Sequence, residues 1–317
     1  MRVTSVRQVE AIVGYTGRLL RSRAMGGCRM RFLAVFVALL AMLSVGLAKD
    51  DLQVGDFVKQ HLNSIGTDQA RAAVKNRAAE GTVQFHMQHQ GGSADGKEVF
   101  VSDGNKLVSL LKLPNPSYHG ERFVSDGQRT TIATMKPGVY SELGQFVNSQ
   151  NEILTSGLWG GTLSTGWALF DLPGRRAALQ YMGRKKIDGR ELQQFRFLPS
   201  RRSDLEIRLY FDPETARHVM TTYELTIAPQ IAASELETAK QKSTSYRLEE
   251  RFANFKQYDG LWLPGQWTIQ FGLDVPSDPN HPVAFGGYAR SDVWEYSVSV
   301  TSISHNVQLD PKNFEVK

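Results

Sequence analysis

The chain has 317 residues, with 37 lysines and arginines against 32 aspartates and glutamates and a single cysteine. Its formal charge of +5 comes from the start: residues 1–48 hold seven arginines, no lysine and one glutamate, which leaves 30 basic and 31 acidic side chains in the rest. A body without basic excess argues against nucleic acid as a partner. With Cys28 as the lone cysteine, that body also lacks disulfides, thiolate metal sites and a cysteine nucleophile.

Met30 and Arg31 precede an apolar run over 32–47, and Gly46-Leu47-Ala48 puts small residues at the −3 and −1 positions of a cut before Lys49. This pattern predicts a signal peptide cleaved near Ala48, hence a periplasmic protein. The run of about 16 residues is shorter than the ~20 that a membrane-spanning helix requires. Cys28 lies before the run, whereas a lipid-anchored protein would carry it just after. The expected organisation is an N-terminal extension with signal peptide at 1–48 and one domain at 49–317.

Asp50 and Asp51 can cap a helix whose apolar residues recur every three or four positions: Val54, Phe57, Val58, His61, Leu62 and Ile65. Gly66 is a plausible stop, and a shorter helix is expected over 68–77. From Gly81 the pattern becomes that of strands. Asp-Gly pairs at 95–96, 103–104, 126–127, 188–189 and 259–260 suit tight hairpin turns, which need positive φ. Strands are expected at 80–89, 97–102, 106–113, 119–125 and 128–135.

Residues 141–172 interrupt this series. Leu143, Phe146, Val147 and Leu154 suit an amphipathic helix, and a glycine-rich stretch then carries Trp159 and Trp167. Such an insert is either a cover over a concave sheet or an ordinary helix closing the core. Strands resume at 177–186 and 190–198. The clearest follows, with Leu205, Ile207, Leu209 and Phe211 alternating with Asp204, Glu206, Arg208 and Tyr210. After the Asp212-Pro213-Glu214-Thr215 turn, Val219, Thr221, Tyr223, Leu225 and Ile227 alternate with His218, Met220, Thr222, Glu224 and Thr226. Further strands are expected at 245–256, 262–272 and 292–304, with loops at 231–243 and 273–291. The fold class is mainly β, within α+β: a curved antiparallel sheet forming an incomplete barrel of about eleven strands, covered by a few helices.

No catalytic set stands out, and no cofactor or metal is expected. His86 and His89, three apart on a strand, fall on opposite faces. Gly161-Thr162-Leu163-Ser164-Thr165-Gly166 misses the nucleophile-elbow pattern by one residue. Arg201, Arg202, Arg208 and Arg217 gather around the central hairpin, either as solvated charge or as a contact for a lipid headgroup or anionic partner.

Three segments resemble the LolA-like group of periplasmic lipoprotein carriers and outer-membrane lipoprotein-sorting proteins. They are Leu205-Glu206-Ile207-Arg208-Leu209-Tyr210-Phe211-Asp212-Pro213-Glu214-Thr215, Phe255-Lys256-Gln257-Tyr258-Asp259-Gly260-Leu261-Trp262-Leu263-Pro264 and Asn306-Val307-Gln308-Leu309-Asp310-Pro311-Lys312-Asn313-Phe314. An export signal followed at once by an amphipathic helix is similar as well. The resemblance implies an unclosed barrel with a helical lid over an apolar cavity, binding acyl chains of a lipid or lipoprotein without catalysis. The cavity residues it suggests are Leu205, Ile207, Leu209, Val219, Tyr223, Leu225, Trp267, Ile269, Phe271, Trp294 and Tyr296. The lid residues are Phe57, Val58, Leu62, Phe146, Trp159 and Trp167. The rival expectation is a sensor or interaction domain of the same fold that binds an inner- or outer-membrane envelope protein.

Overall fold

The computed structural model describes residues 54–88, 92–114, 118–135, 141–227, 244–275 and 290–316. They fall within one compact unit, Asp50–Lys317. The leader, the 231–243 loop and residues 276–289 of the second loop lie outside the described residues.

Helix α1 spans 54–65 and stops at Gly66, whose N–H donates to the Leu62 carbonyl. Phe57, His61 and Ile65, spaced by four, form its buried stripe. The short α2 (Asp68–Ala72) is capped by Thr67, whose hydroxyl accepts from the Ala70 N–H. The chain then runs through β1 (Asn76–Met87), β2 (Ser93–Asp103), β3 (Lys106–Lys112), β4 (Gly120–Ser125) and β5 (Thr130–Thr134). The insert follows with α3 (Glu142–Ser149), α4 (Glu152–Thr155) and two 3-10 turns at Gly161–Leu163 and Ala168–Phe170. The second half holds β6 (Ala178–Ile187), β7 (Arg190–Leu198), β8 (Glu206–Phe211), β9 (His218–Ile227), β10 (Thr244–Ala253), β11 (Lys256–Tyr258), β12 (Leu261–Leu263), β13 (Gln266–Val275) and β14 (Arg290–His305).

Twelve of these strands form one antiparallel sheet in the order β5-β4-β3-β2-β1-β14-β13-β10-β9-β8-β7-β6, and β11 pairs only with β12. Among the described residues β5 and β6 do not pair, so the barrel is open. The sheet is nonetheless strongly curled. Phe100 on β2 and Trp267 on β13 lie three strands apart in the order, ~14 Å on a flat sheet. Their ring centroids are 5.7 Å apart.

Four of the five Asp-Gly pairs turn hairpins as expected. Asp188 and Gly189 both have positive φ, as do Asp259 and Gly260. The pair at 95–96 does not turn the chain but lies inside β2, where a Cβ on Gly96 would stand 2.2 Å from the Lys112 carbonyl oxygen. Here glycine admits a close backbone approach rather than a turn. The strand expected at 262–272 is two: Pro264 and Gly265 separate β12 from β13, because proline has no N–H for the ladder.

Candidate functional site

The inner face of the sheet is a trough of apolar side chains, and α1 and the insert lie in it. Leu205, Ile207, Leu209, Tyr223, Trp267, Ile269, Phe271, Trp294 and Tyr296 are all buried in a single cluster, with Leu225 packed against it. Phe57, Phe146, Trp159 and Trp167 of the covering segments belong to the same cluster, and Leu62 packs on it. Phe57 stacks on Phe195 at 4.4 Å and meets Phe211 edge-on at 5.0 Å. Phe146 rests on Phe271 at 5.2 Å. Trp159 stacks on Phe123 of β4 at 5.1 Å and stands edge-on to Trp267 of β13 at 5.5 Å, so one indole bridges opposite flanks of the trough. The covering aromatics thus occupy the space between the expected cavity residues.

Two expected positions fall elsewhere. Val219 packs with Leu192, Tyr210 and Met220 in a separate cluster. The register between β8 and β9 shifts at Tyr210/Phe211, where Phe211 pairs with His218 and Val219 becomes the extra residue of a bulge. His218, expected on the wet face, therefore points inward. Val58 is half-buried at the border of the α1 stripe and is not part of the main cluster.

The cover is fastened to the sheet by buried polar groups, each on the apolar face of a strand or helix. Glu250 of β10 is fully buried. Its Oε1 accepts from the Gly160 N–H at 2.8 Å and from Trp267 Nε1 at 3.0 Å, and its Oε2 accepts from the Tyr223 hydroxyl at 2.7 Å. Gly160 has φ +74°, and a Cβ there would stand 2.5 Å from a Phe100 ring carbon. Only glycine brings this N–H down to the carboxylate. Arg77 of β1 donates through Nη1 to the carbonyls of Thr162 and Leu163, at 2.7 and 3.0 Å. Glu121 of β4 accepts from the Ser141 N–H at 2.8 Å and from the Tyr118 hydroxyl at 2.9 Å, beneath the residue that caps α3. His61 of α1 completes the set. Its Nδ1 lies 2.8 Å from the Ala216 carbonyl, and its Nε2 accepts from Trp167 Nε1 at 3.0 Å, which fixes the neutral tautomer with Nδ1 as donor.

Burial governs the protonation of these groups. It pushes Glu250 up to about 7, against the pull of its hydrogen bonds. Glu98, which accepts from the Ser109 hydroxyl at 2.8 Å, rises to about 8, and its Oε2 has no partner among the described residues. Burial lowers His61 to about 4 and Arg77 to about 9. Unfolded, the two glutamates release their protons near 4.5 and His61 binds one below 6.5. Above pH 6.5 the native chain therefore holds more protons than the unfolded one, and stability falls as pH rises towards 8. Between 4.5 and 6.5 the buried histidine acts in the opposite sense. The expected result is a urea midpoint that declines from pH 6.5 to 8 and declines less in Glu98→Gln. An equal decline in the variant would refute the protonated state of Glu98.

The outer face differs. Arg208, Glu224, Arg247, Glu249 and Arg251 form a ladder of ion pairs across β8, β9 and β10. Arg217 lies over the Trp262 ring at 4.4 Å. Ser164 is buried, and its hydroxyl accepts from the Gly166 N–H at 3.0 Å, which suits a loop-shaping role. Sequence reasoning missed Glu250, Glu98, Glu121 and Arg77. The signal was parity: Glu250 shares the face of Leu248 and Phe252, Glu98 that of Phe100, and Glu121 that of Phe123.

Fold and site together define an open antiparallel half-barrel with a helical cover latched into its trough. In fold the chain is similar to a LolA superfamily protein from Nitrosomonas europaea, at 14% identity and a TM-score of 0.43, over 83% of this chain and 97% of that one. It is likewise similar to a DUF1329 family protein from Desulfovibrio piger, at 10% identity and a TM-score of 0.43, over 83% of this chain and 97% of the other. A Vibrio parahaemolyticus domain ascribed to outer membrane lipoprotein sorting matches at 12% identity and a TM-score of 0.39, over 81% and 97% of the two chains. No protein-family model and no curated protein matches this sequence.

Proposed function

We propose that the protein is an exported, non-catalytic binder of lipid or lipoprotein acyl chains, which enter the trough when the cover lifts. The observation that carries this reading is the way the cover is held. Among the described residues it joins the sheet through no β-ladder, but through apolar side-chain packing and hydrogen bonds such as those of Glu250, Arg77 and Glu121. Acyl chains supply the same apolar contacts as the departing aromatics, at ~0.8 kcal/mol per buried CH₂. The cavity residues are then those of the trough, from Leu205, Ile207 and Leu209 on β8 to Trp294 and Tyr296 on β14. Export rests on the leader pattern at 30–48.

The test uses residues 49–317 secreted to the periplasm and examined by native mass spectrometry. A stoichiometric lipid that added fatty acid displaces is the expected result. Displacement should also change tryptophan emission, since Trp159, Trp167 and Trp267 lie at the contact between cover and sheet. Lipid-free protein whose emission ignores fatty acids and lysophospholipids would sink the proposal. A second reading, recognition of an envelope protein, is favoured by the edge strand β6, unpaired on its outer side among the described residues, where Tyr181 and Met182 are 43% and 48% exposed. It predicts lipid-free protein together with a partner whose binding is lost on Met182→Asp.

A further inference from the structure

Beside the cover lies a polar pocket of about 480 Å³ that acyl binding does not use. Separate loops converge on it: Asn105 from the β2–β3 turn, Gln128 from the β4–β5 turn, Glu152 from α4, and Arg201 and Arg202 from the β7–β8 connection, with Arg175 completing the wall. Its charge is unbalanced, with three arginines to one glutamate. Glu152 accepts from the Ser203 hydroxyl. Arg201 and Arg202 are exposed and form no ion pair among the described residues, in contrast to the matched arginines of the outer face. Arg175 donates to the carbonyls of Thr155 at 3.2 Å and Gly166 at 2.7 Å and to Asn105 Oδ1, while its Nε is buried without a hydrogen-bond partner among the described residues.

We propose that this pocket binds a phosphate group, as an ester or in a lipid headgroup. Guanidinium groups suit it, since their planar donors match phosphate oxygens in pairs. Gln128 and Asn105 offer side-chain amides, and the excess of arginines in the lining attracts an anion. Phosphate here would also touch the fastening of the cover, because Arg175 ties two parts of the insert to the β2–β3 turn. The lipid form of this inference rests on the acyl-binding reading. The phosphate site itself does not.

The experiment titrates glycerol phosphate into residues 49–317 by calorimetry, with Arg201→Ala/Arg202→Ala as the test variant. Both side chains are solvent-exposed, so the fold is expected to survive, with thermal melting as the check. Lys185→Ala/Lys186→Ala on β6 removes the same charge elsewhere. Expected is binding to the wild type, weakened about tenfold in the arginine variant, as for loss of a charge-assisted hydrogen bond, and unchanged in the lysine variant. Wild type that ignores glycerol phosphate, an arginine variant that binds it equally well, or equal weakening in both variants overturns the proposal. Flotation with phosphatidylcholine vesicles, with and without phosphatidylglycerol, separates the two sources. Capture only by the anionic vesicles, lost in the arginine variant, identifies a headgroup, and a response to the soluble ester alone identifies a free phosphate ester. Glycerol phosphate binding by protein that refuses fatty acids would count against the acyl reading while leaving this site intact.

Discussion

Glu250→Ala is expected to lower the free energy of unfolding by about 3 kcal/mol or more. The Gly160 N–H, Trp267 Nε1 and the Tyr223 hydroxyl would each lose their acceptor where water does not reach, and a stranded buried donor costs about 1–3 kcal/mol. The loss is also directional, since Gly160 belongs to the cover and the other two to the sheet. Loosening should therefore concentrate in the insert, and chymotrypsin should cut near Trp159 and Trp167 while the sheet still resists. Glu250→Gln keeps the volume and one acceptor oxygen, so its expected loss is nearer 1 kcal/mol. Urea unfolding and timed proteolysis read both effects. A wild-type midpoint and digestion pattern in the alanine variant would show that Glu250 fastens nothing.

Trp159→Ala should produce the other large effect. The indole is fully buried between Phe123 and Trp267, and truncating a buried tryptophan costs about 3–5 kcal/mol. The space left behind is lined by rings. An apolar hole of this kind stays dry and accepts small hydrocarbons. The variant should therefore melt lower than wild type and regain part of the loss when benzene or a short alkane is added, whereas wild type gains little. If Trp159 holds the place that cargo takes, the variant should also bind fatty acid more tightly. A variant that melts lower and is stabilised by no apolar ligand would mean the trough closes over the gap, which would count against the acyl-binding reading.

The architecture was legible because strand alternation and Asp-Gly turns are local signals. Leu205, Ile207 and Leu209 point inward as their period of two requires, and α1 ends at Gly66. The errors came from non-local causes. Val219 faces away because a bulge opposite Tyr210 and Phe211 inserts one residue, and nothing in 217–227 marks it. Gly96 looked like a turn because Asp-Gly describes permissible torsions, whereas its real constraint is the carbonyl of Lys112 on the next strand. The polar fastenings were overlooked for a different reason. Only strand parity places Glu121 and Glu250 among phenylalanines, and their partners Ser141 and Gly160 are set by tertiary contact.

The position of β14 has a consequence for biogenesis. It lies between β1 and β13, and without it the twelve-stranded sheet becomes two, β5 to β1 and β13 to β6. The ladder joining Arg77 to His305 spans more than two-thirds of the chain, and contacts so distant in sequence are slow to form. A chain emerging from a ribosome therefore carries two unjoined sheets until residues 290–305 emerge. That interval leaves the edges of β1 and β13 unpaired and open to aggregation, and it is when a holding chaperone would find the most to grip.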